Sequence, residues 1–175
     1  NDMDNDGILN ANDVCPRSPY QPPRPTWTSN ESTDVDGDGC RDIDEDINDD
    51  GDLFDDTSDD CPTEFGNSTQ GQTGCPDSDG DGWSNTLDDC PNQAGNSTLG
   101  GKNACLDSDG DGWADVDDAF SDEPSQWADA DGDGYGDNPS GIESDDCSDV
   151  AGDSTIDRLG CLDTDWDGHS DPDLG

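Results

Sequence analysis

Carboxylates at fixed intervals are the residues of this chain best placed to do chemistry. The stretch Asp77-Ser78-Asp79-Gly80-Asp81-Gly82-Trp83-Ser84-Asn85-Thr86-Leu87-Asp88 puts side-chain oxygens at positions 1, 3, 5, 9 and 12 of a twelve-residue frame, with Gly at 6. Side chains two residues apart can turn alternate oxygens toward one point, a backbone carbonyl serves at position 7, and Gly permits a sharp turn at position 6. That donor set suits a hard divalent cation, above all calcium. The acid at position 12 of such loops is commonly a bidentate Glu, whereas here it is mostly the shorter Asp. The substitution implies looser or water-assisted coordination, or a carboxylate shared between neighbouring ions.

The frame recurs along the chain. Asp2, Asp4, Asp6, Asn10 and Asp13 form a first copy, with Gly7 at the turn. Asp34, Asp36, Asp38, Asp42 and Glu45 form a second, and Asp46, Asn48 and Asp50 begin a third whose later half is irregular, with Phe54 at position 9. Asp77, Asp79, Asp81, Asn85 and Asp88 are the fourth, and Asp107, Asp109, Asp111, Asp115 and Asp118 match it closely. Asp129, Asp131, Asp133 and Asp137 are followed by Ser140 at position 12, and Asp163, Asp165, Asp167 and Asp171 by Leu174. Calcium at about seven or more sites is the expected cofactor.

Elements that would ordinarily carry such loops are missing. EF-hands need flanking amphipathic helices, and no apolar stripe at helical spacing lasts three turns anywhere. Of the 48 acidic residues all but five (Glu31, Glu45, Glu64, Glu123, Glu143) are Asp, which favours turns and ligand loops over helices. With five Lys and Arg the formal charge is −43, which excludes nucleic acid and anionic lipid as partners. No run of 18 apolar residues exists to insert in a membrane. Only 25% of residues are hydrophobic, too few for a large apolar core, so without cations the chain should expand by self-repulsion.

Eight cysteines supply a second constraint. Cys61 to Cys75, Cys90 to Cys105 and Cys147 to Cys161 enclose similar segments, carrying Gly66-Asn67-Ser68-Thr69, Gly95-Asn96-Ser97-Thr98 and Gly152-Asp153-Ser154-Thr155. Local disulfides 61–75, 90–105 and 147–161 follow, leaving Cys15 with Cys40, and a shifted pairing such as 40–61 is the rival. A staple closing about 15 residues contributes on the order of 3 kcal/mol by constraining the unfolded chain. Paired cysteines in a core-poor chain point to an oxidising, extracellular setting. With one His and no C-x-x-C pair, zinc is not the expected metal. Asn30-Glu31-Ser32, Asn67-Ser68-Thr69 and Asn96-Ser97-Thr98 are candidate acceptors for N-linked glycans.

The pattern D-x-D-x-D-G-x-x-[DN]-x-x-D followed by D-C-P, with interleaved cysteines, resembles the thrombospondin type 3 repeats, especially the tandem versions in secreted and surface proteins of bacteria and archaea. Asp2 to Pro16 and Asp77 to Pro91 carry the resemblance most specifically. It implies a chain wrapped around a string of calcium ions, with ions in place of a core and carboxylates shared between adjacent ions. The expected fold is irregular, with little regular secondary structure and no conventional hydrophobic core: an elongated tandem array of calcium loops stapled by disulfides. Its segments would be a first loop (1–15), a Pro-rich spacer (16–33), paired loops (34–61), a Cys hairpin with one loop (61–90), a Cys hairpin with two loops (90–146), and a Cys hairpin with the terminal loop (147–175).

The spacer, Pro16 to Thr28, holds five prolines with Arg17, Arg24, Tyr20 and Trp27, and reads as extended polyproline or as a docking strip for a neighbouring subunit. Trp83, Trp113 and Tyr135 occupy position 7, where the backbone serves the ion and the rings are free to pack on the next repeat. Joined end to end, Asp163 to Gly175 and Asn1 onward would read as consecutive loops, as expected for a piece of a longer array or for subunits meeting head to tail in a fibre. The leading expectation is an extracellular, calcium-stabilised structural repeat protein: a rod, stalk or filament subunit, with self-association and no catalysis. The alternatives are a soluble calcium buffer or mineral-binding protein, and a calcium-dependent spacer or adhesin segment of a larger secreted protein.

Overall fold

The computed structural model describes residues 1–17 and 27–172. Residues 18–26 of the expected Pro-rich spacer and the terminal Leu174 lie outside these residues. Among the described residues there is no helix, so none long and apolar enough to cross a membrane, and β-type pairing is confined to single bridges, Gln70 with Trp83 and Gly136 with Ser144. Little regular secondary structure forms because Asp side chains capture the backbone N–H groups that a helix or ladder would use. Asp77 shows how: its two oxygens accept from Gly80 N at 2.8 Å and Gly82 N at 2.9 Å. Both glycines then take left-handed backbone, φ 82° and 100°, which a Cβ would oppose.

Among the described residues there is no conventional apolar core. The buried hydrophobic residues are Cys40, Cys75, Cys105, Cys161, Ala104 and Ala114, none larger than cysteine, and the largest fully buried side chain is Gln126. Aliphatic side chains point outward instead, Leu53 and Ile43 being 88% and 81% exposed. Four disulfides join Cys15–Cys40, Cys61–Cys75, Cys90–Cys105 and Cys147–Cys161, the local pairing rather than the shifted one.

The chain divides into two compact units, Asn1–Leu87 and Asp88–Gly175. In the first, the 61–75 hairpin holds the loops on either side of it. Gly66 N donates to Asp52 Oδ2 at 3.2 Å in the preceding loop, and Thr69 N and Gln70 N both donate to Gly82 O at 2.8 Å in the following one. In the second unit the 147–161 hairpin repeats this arrangement, Gly152 N on Asp133 Oδ2 at 2.9 Å and Thr155 N and Ile156 N on Gly168 O at 2.9 Å. The 90–105 hairpin reaches its following loop through Thr98 N and Leu99 N on Gly112 O.

Two residue choices make the hairpins possible. A Cβ at Gly66, Gly95 or Gly152 would stand 2.0 to 2.1 Å from the carbonyl carbon of Cys75, Cys105 or Cys161, so only Gly fits. Ser68, Ser97 and Ser154 are fully buried, each Oγ accepting the N–H of the second half-cystine while donating to a carbonyl across the hairpin. Two of the position-7 rings, those of Trp83 and Trp113, lie on the preceding hairpin. Trp83 packs against Gly71 and Trp113 against Gly100, where a Cβ would meet each ring within 3.1 Å. Trp113 also stacks on Trp127, ring centroids 6.1 Å apart.

Candidate metal centres

In all but the seventh loop, one carboxylate oxygen is held by the backbone while another lies buried without a donor. In the Asp107 loop, Asp107 accepts from Gly110 N and Gly112 N, Asp109 Oδ1 from Asp111 N at 3.1 Å, and Asp111 Oδ1 from Trp113 N at 2.8 Å. Asp115 closes the loop, its N–H donating to Leu106 O at 2.8 Å and its Oδ1 accepting from Ser108 N at 2.7 Å. Asp118 Oδ1 accepts from Phe120 N at 2.7 Å. The second oxygens of Asp109 and Asp111 are buried with no hydrogen-bond partner.

The same orphaned oxygens recur at equivalent positions: Asp4 Oδ1, Asp6 Oδ2, Asn10 Oδ1 and both oxygens of Asp13 in the first loop, Asp79 Oδ2 in the fourth, and Asp131 Oδ2 and Asp137 Oδ1 in the sixth. A buried, undonated carboxylate oxygen is costly unless a cation faces it. Oxygens of Asp2, Asp4 and Asp6, of Asp34, Asp36 and Asp38, and of Asp77, Asp79 and Asp81 come within 4.8 Å of one another. This all-oxygen set fits calcium, and these residues would hold it. Burial, reinforced by neighbouring carboxylates, pushes Asp13 and Asp36 up to about 6 and Asp49 to about 7.

Three features depart from the frames read in sequence. The third loop has its hydrogen-bond register two residues later, beginning at Asn48. Asn48 Oδ1 accepts from Gly51 N at 3.1 Å, Asp50 Oδ1 from Asp52 N at 3.1 Å, Asp52 Oδ1 from Phe54 N at 2.6 Å, and Asp56 Oδ1 from Asp49 N at 2.9 Å. Asp59 takes the role of position 12, accepting from Cys61 N at 2.6 Å, and Asp50, Asp52 and Asp59 cluster. Leu53 replaces Gly at position 6, which hid this register. Its legible signal was Asp59-Asp60-Cys61-Pro62, the same ending as Asp88-Asp89-Cys90-Pro91.

Second, Asp46 belongs with what precedes it. Its Oδ1 accepts from Asn48 N at 3.0 Å, the bond that position-12 residues make two residues ahead, and it clusters with Asp42 and Asp49. Glu45, its N–H on Arg41 O, is displaced from that role by one residue.

Third, position 12 of the sixth loop is filled by Asp145 instead of Ser140. Asp145 is buried, its Oδ1 accepts from Cys147 N at 2.6 Å, and its neighbours include Asp131, Asp133 and Asp137. The intervening residues bulge out around Gln126, which binds Asn138 N and O and Ile142 O. Asp88 is the first residue of the second unit, buried, with Oδ1 on Cys90 N at 2.5 Å. The seventh loop is the most open: Asp163 is buried and clamps Trp166 N and Gly168 N, while Asp165 and Asp167 are exposed. Asp171 N donates to Leu162 O at 2.6 Å.

No curated protein matches the chain. The family model of the thrombospondin type 3 repeat matches residues 1–21 and 75–97. Each matched segment contains a frame that runs into Asp-x-Cys-Pro, Asp13 to Pro16 in one and Asp88 to Pro91 in the other. Such repeats bind calcium and occur in extracellular proteins, in agreement with the oxygen-lined loops and the disulfides. Over those two segments, 1–21 and 75–97, the chain is similar to the thrombospondin type 3 repeat.

Proposed function

We propose that the chain is an extracellular structural protein whose fold is held by calcium at each of its seven loops, serving as a rod, stalk or filament subunit. One observation carries this reading. The interior contains undonated carboxylate oxygens where other proteins place aliphatic side chains. Seven divalent ions would still leave a chain of charge −43 acidic, so calcium acts as a permanent internal staple and the surface stays anionic. The carboxylates are assigned to cation binding rather than to catalysis.

Electron microscopy and small-angle scattering on the protein, with calcium and then with a chelator, test the reading. Ordered fibres or extended rods that loosen on chelation support it. Compact monomers with calcium that expand on chelation would favour a soluble calcium buffer. Particles indifferent to chelation would show that the disulfides alone hold the fold.

A further inference from the structure

We propose that Asn67 and Asn96 each carry an N-linked glycan and that Asn30 does not. All three head Asn-x-Ser/Thr triplets. In the two hairpins the demands of the fold can be separated residue by residue. Ser68 and Ser97 are required by folding, each Oγ accepting from a half-cystine N–H, at 2.9 and 3.0 Å. Thr69 and Thr98 donate backbone N–H groups to Gly82 O and Gly112 O. Of the asparagines the hairpin uses only the main chain, Asn67 N donating to Cys75 O at 3.2 Å and Asn96 N to Cys105 O at 3.0 Å.

The third hairpin makes the same bond from Asp153 N to Cys161 O at 3.1 Å, so an amide side chain is not needed there. Asn67 and Asn96 are exposed, and among the described residues neither side-chain amide makes a hydrogen bond. A chain rich in Asp thus places Asn at two equivalent, outward positions where the fold would accept the acid.

Asn30 is the opposite case. Its Nδ2 donates to Thr28 O at 2.7 Å and Thr33 Oγ1 at 2.9 Å, and its Oδ1 accepts from Ser32 N and Oγ. A glycan replaces one Nδ2 hydrogen, so one of those bonds would be lost in the turn that leads into buried Asp34.

In the modification Nδ2 bonds to C1 of the sugar as the C1–O bond to a polyprenyl-diphosphate carrier breaks, and the amide proton leaves with the diphosphate. Carrier and transferase belong to the secreting cell, and only for access to them does the proposal rest on the extracellular reading. The test is glycopeptide mass spectrometry on the full chain secreted by cells that N-glycosylate. Calcium-dependent melting is followed on the same material.

Occupied Asn67 and Asn96 with a bare Asn30 is the expected result. The double variant Asn67→Asp, Asn96→Asp should lose all glycan and keep the calcium-dependent melt. A bare Asn67 or Asn96 in the calcium-folded secreted chain, or an occupied Asn30, overturns the proposal. A chain glycosylated as expected but indifferent to calcium would overturn the structural reading and leave this one standing.

Discussion

At position 4 of most loops the backbone turns left-handed, and Gly occupies it: Gly37, Gly80, Gly110 and Gly132 have φ of 76° to 84°, and no atom would crowd a Cβ. Trp166 stands at that position in the seventh loop, with φ 63° and 81% of its surface exposed. A bulky residue there costs roughly 1–2 kcal/mol, and the exposed ring gains little in return. Trp166→Gly should therefore stabilise the calcium-loaded chain by about 1 kcal/mol in denaturant unfolding. Ser97→Ala should act in the other direction. It strands the buried N–H of Cys105 and the carbonyl of Lys102, at a cost of about 1–3 kcal/mol in the same assay. The triplet around Asn96 survives that change, so lost stability there would be separable from any effect of a glycan.

Among the elements, the sixth loop makes the sharpest test of how the ligands are chosen. Twelve-residue spacing points to Ser140, whereas the fold carries Asn138 to Ile142 around Gln126 and delivers Asp145. Asp145→Asn keeps an acceptor for Cys147 N while removing the charge, and should weaken calcium binding at that loop by about tenfold or more. Ser140→Ala should leave it unchanged, with calorimetric titration as the measurement. Equal effects of the two variants would contradict the register seen here. In the third loop, Asp59→Asn is expected to behave like Asp145→Asn, since both residues stand beside a half-cystine and beneath a hairpin glycine, Gly74 or Gly160.

For the molecule as a whole, pH should act in opposite directions with and without calcium. Burial, with nearby carboxylates adding to it, raises Asp13 and Asp36 to about 6 and Asp49 to about 7 from 3.8. A carboxyl whose folded value is raised stabilises the fold when protonated. In chelator, stability should thus increase as pH falls from about 7 toward 4 and be lost as pH rises back through 6 to 7. Calcium requires the same groups deprotonated, so in excess calcium stability should fall over that interval. Urea unfolding across the range, in chelator and in calcium, reads both slopes. Parallel slopes would mean that these carboxylates do not face the ion.

Much of this architecture was legible in one dimension because its determinants are local. An Asp carboxylate reaches N–H groups two to five residues ahead, so the frames at Asp77 and Asp107 and the turn glycines within them are written in the spacing itself. The three hairpins close over short segments of similar sequence, which is why their cysteines could be paired by eye. Tertiary structure decided what spacing could not. It set the register at Asn48, where Leu53 stands in place of the marker Gly, moved Asp46 to the end of the second loop, and brought Asp145 in past an insertion. It also turned the Trp83 and Trp113 rings back onto the hairpin before them. At the third loop and at Asp145 the contacts come from a hairpin and a buried Gln distant in sequence, and burial of carboxylates without donors is a property of the folded chain alone.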